Sequence, residues 1–353
     1  MTGNRPRIGL VLGGGGLKGF AHIGVLDVLQ RAGVTPVLMA GSSIGALIAS
    51  AFALGTPVSK MRERALSMRR KDLFRVNASG FARGLLRSPS FYTADPLRAL
   101  IAAVIPDRRF DQLANPLLVN TVDLEGGMQV MWGSPGFRTA SIREAVYASC
   151  ALPGFFPPGI VGGRVCVDGG TVDNMPVTAA AEGLDLLIAV DVGNSEIEQV
   201  TAVTDDGIAS IFMRSATLMM RTLQRTPLLH WSGPPMVLIR PHVSRYGWFN
   251  FDKIPMLIEA GAVAASAVLD CIPQALQAGH GIFPRQRVTV TVARDRCTGC
   301  GQCIAMAPHA MVRSEDGKAV PLQASFDWDP VDSDFTVHCP TGAISMKGAA
   351  AAS

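Results

Sequence analysis

The chain reads as an α/β fold with a mainly parallel sheet, followed by a small α+β domain. Three observations predict this. Short apolar runs of strand length alternate with stretches of helical spacing over the first 280 residues, as in strands joined by crossover helices. Two of the strand-to-helix junctions, Gly13–Gly19 and Gly41–Gly45, are glycine-rich, so backbones there can turn tightly and expose N–H groups. Beyond Gly281 the pattern changes, and Cys297, Cys300, Cys303 and Cys339 follow the spacing of a cluster-binding segment.

Length and composition agree. A chain of 353 residues, 48% hydrophobic and 17% charged, suffices for one large core and a small second domain. The boundaries expected are a first domain over 1–280, a Gly/Pro/basic linker over 281–287, a second domain over 288–347 and a tail over 348–353. The longest apolar runs, Ile44–Leu54 and Leu184–Val192, are too short or too interrupted to span a bilayer. No basic-then-apolar leader opens the chain, and four of the 7 cysteines sit in a cluster pattern. The expected compartment is therefore the reducing cytoplasm, with peripheral membrane contact.

Arg7–Leu12 is a short buried strand, and helical spacing through Ile23, Leu26 and Leu29 runs on to about Gly33. The glycine loop between them is an anion cradle above a helix N-terminus. A dinucleotide site would want an acidic residue ending the second strand, and Val34–Ala40 has none. A phosphate loop would want Gly-Lys-Ser/Thr, whereas Lys18 precedes Gly19. An oxyanion hole remains, with Gly14, Gly15 and Gly16 as N–H donors.

The second strand, from Val37, enters Gly41-Ser42-Ser43-Ile44-Gly45, and an apolar helix begins at once. This is the form of a nucleophile elbow, with Ser43 pushed out at the helix N-terminus. A plain glycine-capped turn has the same residues. Lys60–Arg87 then carries nine basic residues against two acidic ones, a local +7 that exceeds the whole chain's +4. Interleaved Met68, Leu73 and Phe74 suit amphipathic helices on an anionic membrane surface, or a solvated face beside the core. No groove-reading or base-stacking motif accompanies the charge, so nucleic acid is not expected as a partner.

Pro116–Val122 and Met128–Trp132 read as strands around Glu125-Gly126-Gly127, and Ser141–Ala151 as a helix with Ser141 and Glu144 forming a capping box. Val165–Asp168 is a strand ending in an acid before Gly169-Gly170. Asp168 is the candidate general base, its plainer role being to start a turn. Leu186–Val192 and Met236–Arg240 are strands, Asp206–Arg225 a helix, and Ile254–Ala278 one long helix.

Together, Gly13–Gly19, Ala21-His22-Ile23-Gly24, Gly41–Gly45, Ala148-Ser149-Cys150-Ala151-Leu152-Pro153 and Asp168-Gly169-Gly170 with Asn174 and Pro176 resemble the patatin-like phospholipases, in their bacterial and neuropathy-target-esterase-like branch. The resemblance covers about Arg7–Ala278. It implies a three-layer α/β/α hydrolase with Ser43 as nucleophile and Asp168 as base, acting on lipid or other acyl-ester substrates. The α/β-hydrolase fold, the other home of the pentapeptide, places several strands before the nucleophile and a histidine late in the chain. Here one strand precedes it. His22 reads as a helix-face residue with a local hydrogen bond, and His230, His242 and His280 lack a supporting motif.

After Val288–Ala293, a strand, three closely spaced thiolates plus Cys339-Pro340 provide the ligands of one [4Fe–4S] cubane. Residues 288–347 resemble a bacterial ferredoxin domain. In a two-cluster member, cysteines would stand at Ala307, Asp329, Asp332 and Phe335, so a single cluster is expected, with structural zinc as the alternative. Cys150, Cys166 and Cys271 read as small core residues. The whole points to a serine acyl hydrolase with an appended redox or regulatory module and a redox partner protein. A thioesterase or polyester depolymerase on the same dyad, or an electron-transfer protein whose first domain only binds lipid, are the alternatives.

Overall fold

The computed structural model describes residues 5–78, 88, 90–193, 207–247 and 250–348. In chain order the elements of the first domain are β1 (Ile8–Leu12), α1 (Ala21–Arg31), β2 (Leu38–Ser42), α2 (Ile44–Ala53), α3 (Val58–Ser67), α4 (Asp95–Val104), β3 (Leu117–Asp123), β4 (Met128–Trp132), α5 (Ile142–Cys150), β5 (Gly159–Val161), β6 (Arg164–Asp168), β7 (Leu186–Val190), α6 (Gly207–Leu229), β8 (Met236–Ile239), α7 (Ile254–Ser266), α8 (Cys271–Ala278) and β9 (Ile282–Phe283). Among the described residues these strands form one nine-stranded sheet in the order β5-β6-β3-β2-β1-β7-β8-β9, with β4 also on β3. The centre is parallel, from β3 through β2, β1, β7 and β8 to β9. Only β4, β5 and β6 run antiparallel to their neighbours.

Side-chain alternation makes this a three-layer molecule. Along β7, Leu186, Ile188 and Val190 enter one core, with the residues of α1, α2, α3 and α5, while Leu187 and Ala189 enter a second core on the opposite face with Met175, Val177 and Leu228. A parallel strand covered on both faces has no solvent side, which is why these strands read as unbroken apolar runs. Helices α1 and α7 cross in contact through Gly24 and Gly261: a Cβ on either would stand 1.9 Å from a carbonyl oxygen of the other helix.

The predicted helix Ile254–Ala278 is two helices, α7 and α8, bent by 50° at the break. Pro273 supplies the reason, since a proline within a continuous helix lacks the N–H for the bond four residues back and crowds that carbonyl. The stretch 281–287, expected as a linker, is also different: Ile282–Phe283 is the last strand of the large sheet, and β10 (Gln286–Val292) already belongs to the next domain. Of the basic region, α3 and the turn Arg70–Asp72 are seen, while 79–87 lie outside the described residues, as do 349–353 of the tail. Among the described residues no single helix is long and apolar enough to cross a membrane.

The small domain adds α9 (Gln302–Met306), β11 (Met311–Arg313), β12 (Ala319–Pro321), β13 (Phe326–Trp328) and β14 (Ile344–Gly348), with an antiparallel sheet β13-β10-β14 and a hairpin of β11 and β12. Its core of Val288, Val290, Phe326, Trp328 and Phe335 is its own. The two domains are nevertheless joined. Val331 is buried in the second core of the large domain, and Arg240 at the end of β8 donates to the Pro330 carbonyl at 2.6 Å.

Candidate active site

The elbow forms as its sequence predicts. Ser43 sits between β2 and α2 at φ 54°, ψ −129°, the only non-glycine residue with positive φ among the described residues. That region costs about 1–3 kcal/mol for a residue with a Cβ, and neighbours must hold it there. They do so through tight backbone contact and one hydrogen bond. A Cβ on Gly45 would stand 2.1 Å from the Leu12 carbonyl, so α2 can pack against the end of β1 only with glycine at that position. The Ser43 N–H donates to the Oγ of fully buried Ser149 at 2.9 Å.

Ser149 belongs to the Ala148–Pro153 stretch, which also fixes the acid. The Ala151 carbonyl accepts the Asp168 N–H at 3.1 Å, so one short segment at the end of α5 holds both Ser43 and Asp168. Asp168 ends β6 and is 3% exposed. Its Oδ1 accepts the Gly170 N–H at 2.8 Å, and it lines the same cavity as Ser43. Burial pushes its carboxyl up to about 6, against the lowering effect of Ser43 and of the Gly170 N–H. A carboxylate in that range is a stronger base than an exposed one and is still ionised at neutral pH.

The glycine loop is held by Asn174. Its carbonyl accepts the Gly14 N–H at 3.0 Å, and its Nδ2 donates to the Gly14 carbonyl at 2.9 Å. The Gly14 N–H, expected as an oxyanion donor, is thus already used inside the fold, as is that of Gly13, which donates to the Val190 carbonyl at 3.0 Å. Gly15 and Gly16 follow with no backbone acceptor for their N–H groups among the described residues, and Gly16 lines the same cavity as Ser43. His22 is buried on α1, and its Nε2 donates to the Gly13 carbonyl at 2.8 Å, with burial holding its pKa down at about 4. It braces the loop as a neutral ring. The other motif glycines fill contact positions: Gly19 lies against Ile44, Gly41 against the Gly45–Ala46 backbone, Gly169 against Asn120, and Gly170 against Asn174.

Above Ser43 and Asp168 opens a cavity. Its walls are apolar, from Leu17, Phe20, Leu47, Leu97 and Leu100, with an aromatic side of Phe74, Phe155 and Phe156. The Phe74 ring stands 4.7 Å from Tyr92 and 5.8 Å from Phe156. Such a space suits an alkyl chain with its polar end at the dyad. Cys150 also faces it, but burial and the Asp168 charge push its thiol well up, so it stays protonated. Cys166 is a buried core residue as expected. Ser149, Asn174, Phe155 and Phe156 could be matched to no role in the sequence, because each acts on residues far along the chain, and Met68, Leu73 and Phe74, expected on a surface face, line the cavity instead.

A pH dependence follows. With Asp168 as the general base, kcat/KM for a soluble ester is expected to fall about tenfold per unit below pH 6 and to level off above it. The raised pKa also means that the folded state binds this proton more tightly than the unfolded one, whose value is near 3.8. The resulting penalty grows between those values as pH rises and is complete at neutral pH, on the order of 2–3 kcal/mol. Asp168→Asn should therefore unfold at higher denaturant than wild type at pH 8 and at nearly the same denaturant at pH 3.5. A lower midpoint at pH 8 would contradict a desolvated carboxylate.

In the small domain, Cys297, Cys300, Cys303 and Cys339 line one recess, with Gly301, Pro340 and Ile344. The Ala343 N–H donates to Cys339 Sγ at 3.3 Å. No three His, Cys, Asp or Glu side chains converge on a single-ion position among the described residues. Four thiolates suit either a single zinc, with all four on one ion, or a cubane, with each on a different iron. Ala307 and Phe335 are buried in the domain core, Phe335 edge-on to Trp328 at 5.6 Å, and Asp329 accepts the N–H groups of Val331 and Asp332 at 2.7 and 3.0 Å.

Comparison with known proteins finds a family match for each domain. Residues 10–181 match the patatin-like phospholipase family, and residues 290–346 match a 4Fe-4S single cluster domain. An uncharacterized NTE family protein of Mycobacterium bovis is 35% identical over 193 residues, 54% of this chain and 50% of that protein. Lysophospholipase NTE1 of Kluyveromyces lactis is 27% identical over 279 residues, 72% of this chain and 18% of that protein. The chain therefore spans half or less of the length of these relatives. Among solved structures, VipD from Legionella pneumophila is similar with a TM-score of 0.42 at 16% identity, over 78% of this chain and 67% of that one.

Proposed function

On a chain that carries a patatin-like phospholipase domain followed by a 4Fe-4S single cluster domain, we propose a serine acyl hydrolase for lipid esters with an appended iron–sulfur module. The observation that carries this reading is the strained Ser43, held at the mouth of an apolar cavity beside a buried, hydrogen-bonded Asp168. Ser43 Oγ attacks the ester carbonyl while its proton passes to the Asp168 carboxylate. The carbonyl oxygen gains negative charge and is met by the N–H groups of Gly15 and Gly16 and by the N-terminal end of α2. Collapse breaks the ester bond, and the leaving alcohol takes the proton from Asp168. Water then gives a proton to Asp168 as it attacks the acyl-serine, and Ser43 Oγ takes that proton back as its bond to the acyl carbon breaks and the carboxylic acid leaves.

Cys297, Cys300, Cys303 and Cys339 are the residues that would hold one [4Fe–4S] cluster, which when bound supplies one-electron chemistry toward a redox partner. Hydrolysis needs no electron, so the module's role is redox or regulatory. The Arg240–Pro330 contact is a route between the two, because Arg240 also lies 3.6 Å from Asp191, whose Oδ1 accepts the Gly193 N–H at 3.1 Å beside the glycine loop. The exposed turn Arg69–Lys71 lies between Met68 and Leu73, both of which line the acyl cavity, and supports contact of that rim with an anionic membrane surface. A cytoplasmic, membrane-peripheral location fits this reading.

A fluorophosphonate probe tests it directly. The probe should label the full chain once, and peptide mapping should place the adduct on Ser43. An adduct on any other residue, or none on active protein, would remove Ser43 from the reaction.

A further inference from the structure

The hairpin of β11 and β12 lies on the loop that carries three of the four clustered cysteines, and polar bonds staple the two together. Arg313, at the end of β11, donates from Nη1 to the Gly299 carbonyl and to the Gly317 carbonyl, both at 2.8 Å. Lys318, just before β12, donates from Nζ to the Arg294 carbonyl at 2.6 Å. The Arg294 side chain pairs with Asp316 in the hairpin turn.

Gly299 and Gly301 flank Cys300, the exposed member of the four cysteines, and both take the left-handed backbone, at φ 70° and 79°. A side chain at either would also collide with the hairpin. A Cβ on Gly301 would stand 2.6 Å from Arg313 Nη2, and one on Gly299 would stand 2.6 Å from the Gly317 carbonyl oxygen that Arg313 holds. The guanidinium is thus seated against both neighbours of Cys300. Its printed partners are neutral carbonyls, which orient a planar cation without cancelling its charge. Among the described residues no Asp or Glu forms an ion pair with Arg313: Asp316 is taken by Arg294, and Asp295 and Glu315 stand exposed. Arg296 is a second cation nearby, with Nη1 4.0 Å from where a Cβ on Gly342 would stand. It is exposed and has no side-chain hydrogen bond among the described residues, so water and salt screen it more than a clamped charge.

We propose that Arg313 positions the Cys300 segment and raises the reduction potential of the metal cluster held there. The inference rests on the reading of the four cysteines as ligands of one [4Fe–4S] cluster. A bound cubane takes one electron from a one-electron donor protein and gains one negative charge, with no bond made or broken. A fixed cation beside its outermost ligand stabilises the reduced form more than the oxidised one.

The test uses the full chain purified without air, with iron analysis and a redox titration followed by electron paramagnetic resonance. Arg313→Gln keeps an N–H donor and removes the charge. It is expected to retain about four irons and to show a reduced-to-oxidised ratio about tenfold below wild type at the same ambient potential, a downward shift of about 59 mV for a one-electron couple. Arg313→Lys keeps the charge and should shift by less than half of that. Arg287→Gln removes a cation at the end of β10 remote from Val292, which pairs with recess-lining Ile344, and should leave the potential unchanged. Full iron with a wild-type potential in Arg313→Gln would overturn the proposal, as would an equal fall in Arg313→Lys or in Arg287→Gln. If Arg313→Gln loses its iron, full iron and a near wild-type potential in Arg313→Lys would support the role of the charge, and loss of iron from both would refute it. Stoichiometric zinc without iron in wild type would refute the cluster reading and the proposal together, whereas full iron with an unmoved potential in Arg313→Gln refutes the proposal alone.

Discussion

Ser43→Ala is expected to remove ester hydrolysis entirely while the protein still folds. The cavity offers no replacement nucleophile: Cys150 is held as a neutral thiol, and Asp168 is the remaining titratable group on its walls. The hydrogen bond from residue 43 to Ser149 uses the backbone N–H, so it survives the substitution. Asp168→Asn keeps the acceptor for Gly170 but cannot take a proton, and should lower kcat by the general-base factor of about 10²–10⁴ with a smaller change in KM. Ser43→Gly separates strain from chemistry. It should be as inactive as Ser43→Ala yet more stable than wild type, because glycine occupies φ 54° without the roughly 1–3 kcal/mol cost borne by serine. The measurements are soluble-ester kinetics and chemical denaturation of all three variants. Turnover retained in Ser43→Ala would end the assignment of the nucleophile, and a destabilised Ser43→Gly would mean that the elbow is not strained.

The strand-to-helix turn at Ser43 and the strand-ending position of Asp168 were legible in the sequence because both are local. A strand, a five-residue turn and a helix are contiguous from Leu38 to Ala53, and Asp168-Gly169-Gly170 ends its strand within three residues. The parallel centre of the sheet was legible too, since strands covered on both faces must be apolar throughout. What escaped depends on contacts between distant segments. Which glycine N–H groups remain for an oxyanion is decided by Asn174, 160 residues beyond Gly14. Gly14, Gly15 and Gly16 look alike in the chain, and only the first is already bonded. The edge strand Ile282–Phe283 is two residues long between a glycine and a proline, so nothing in its pattern separates it from a linker. Ser141 does accept the Glu144 N–H, at 3.5 Å, but the Glu144 carboxylate turns to Arg98 at 2.7 and 2.8 Å instead of closing the capping box. A partner 46 residues away won over the local one.

Cys339→Ala is expected to cost the protein its cluster and leave ester hydrolysis in place. Purified without air, the full chain should be brown and carry about four irons, as one cubane requires. Removing the remote ligand leaves three thiolates on one loop, and iron content and visible absorbance should fall sharply, whereas Cys166→Ala, in the core of the other domain, should leave both unchanged. Stoichiometric zinc without iron would overturn the ligand assignment. The same full-length variant is the right test of whether the module is needed for catalysis, and a fragment ending near Gly281 is not. That cut would delete the edge strand Ile282–Phe283, expose the core face that Val331 covers, and remove the carbonyl that Arg240 holds. Loss of activity in such a fragment could come from the damaged sheet alone. In Cys339→Ala the docking turn keeps its own hydrogen bonds, from the Val331 and Asp332 N–H groups to Asp329 and from the Asp329 N–H to Asp332 at 3.1 Å, and none of them involves a cysteine. Turnover of a small soluble ester should therefore persist after the iron is gone. Complete loss of turnover in this variant, with circular dichroism and denaturation midpoint unchanged, would make the cluster part of the catalytic apparatus and end its description as an appended module.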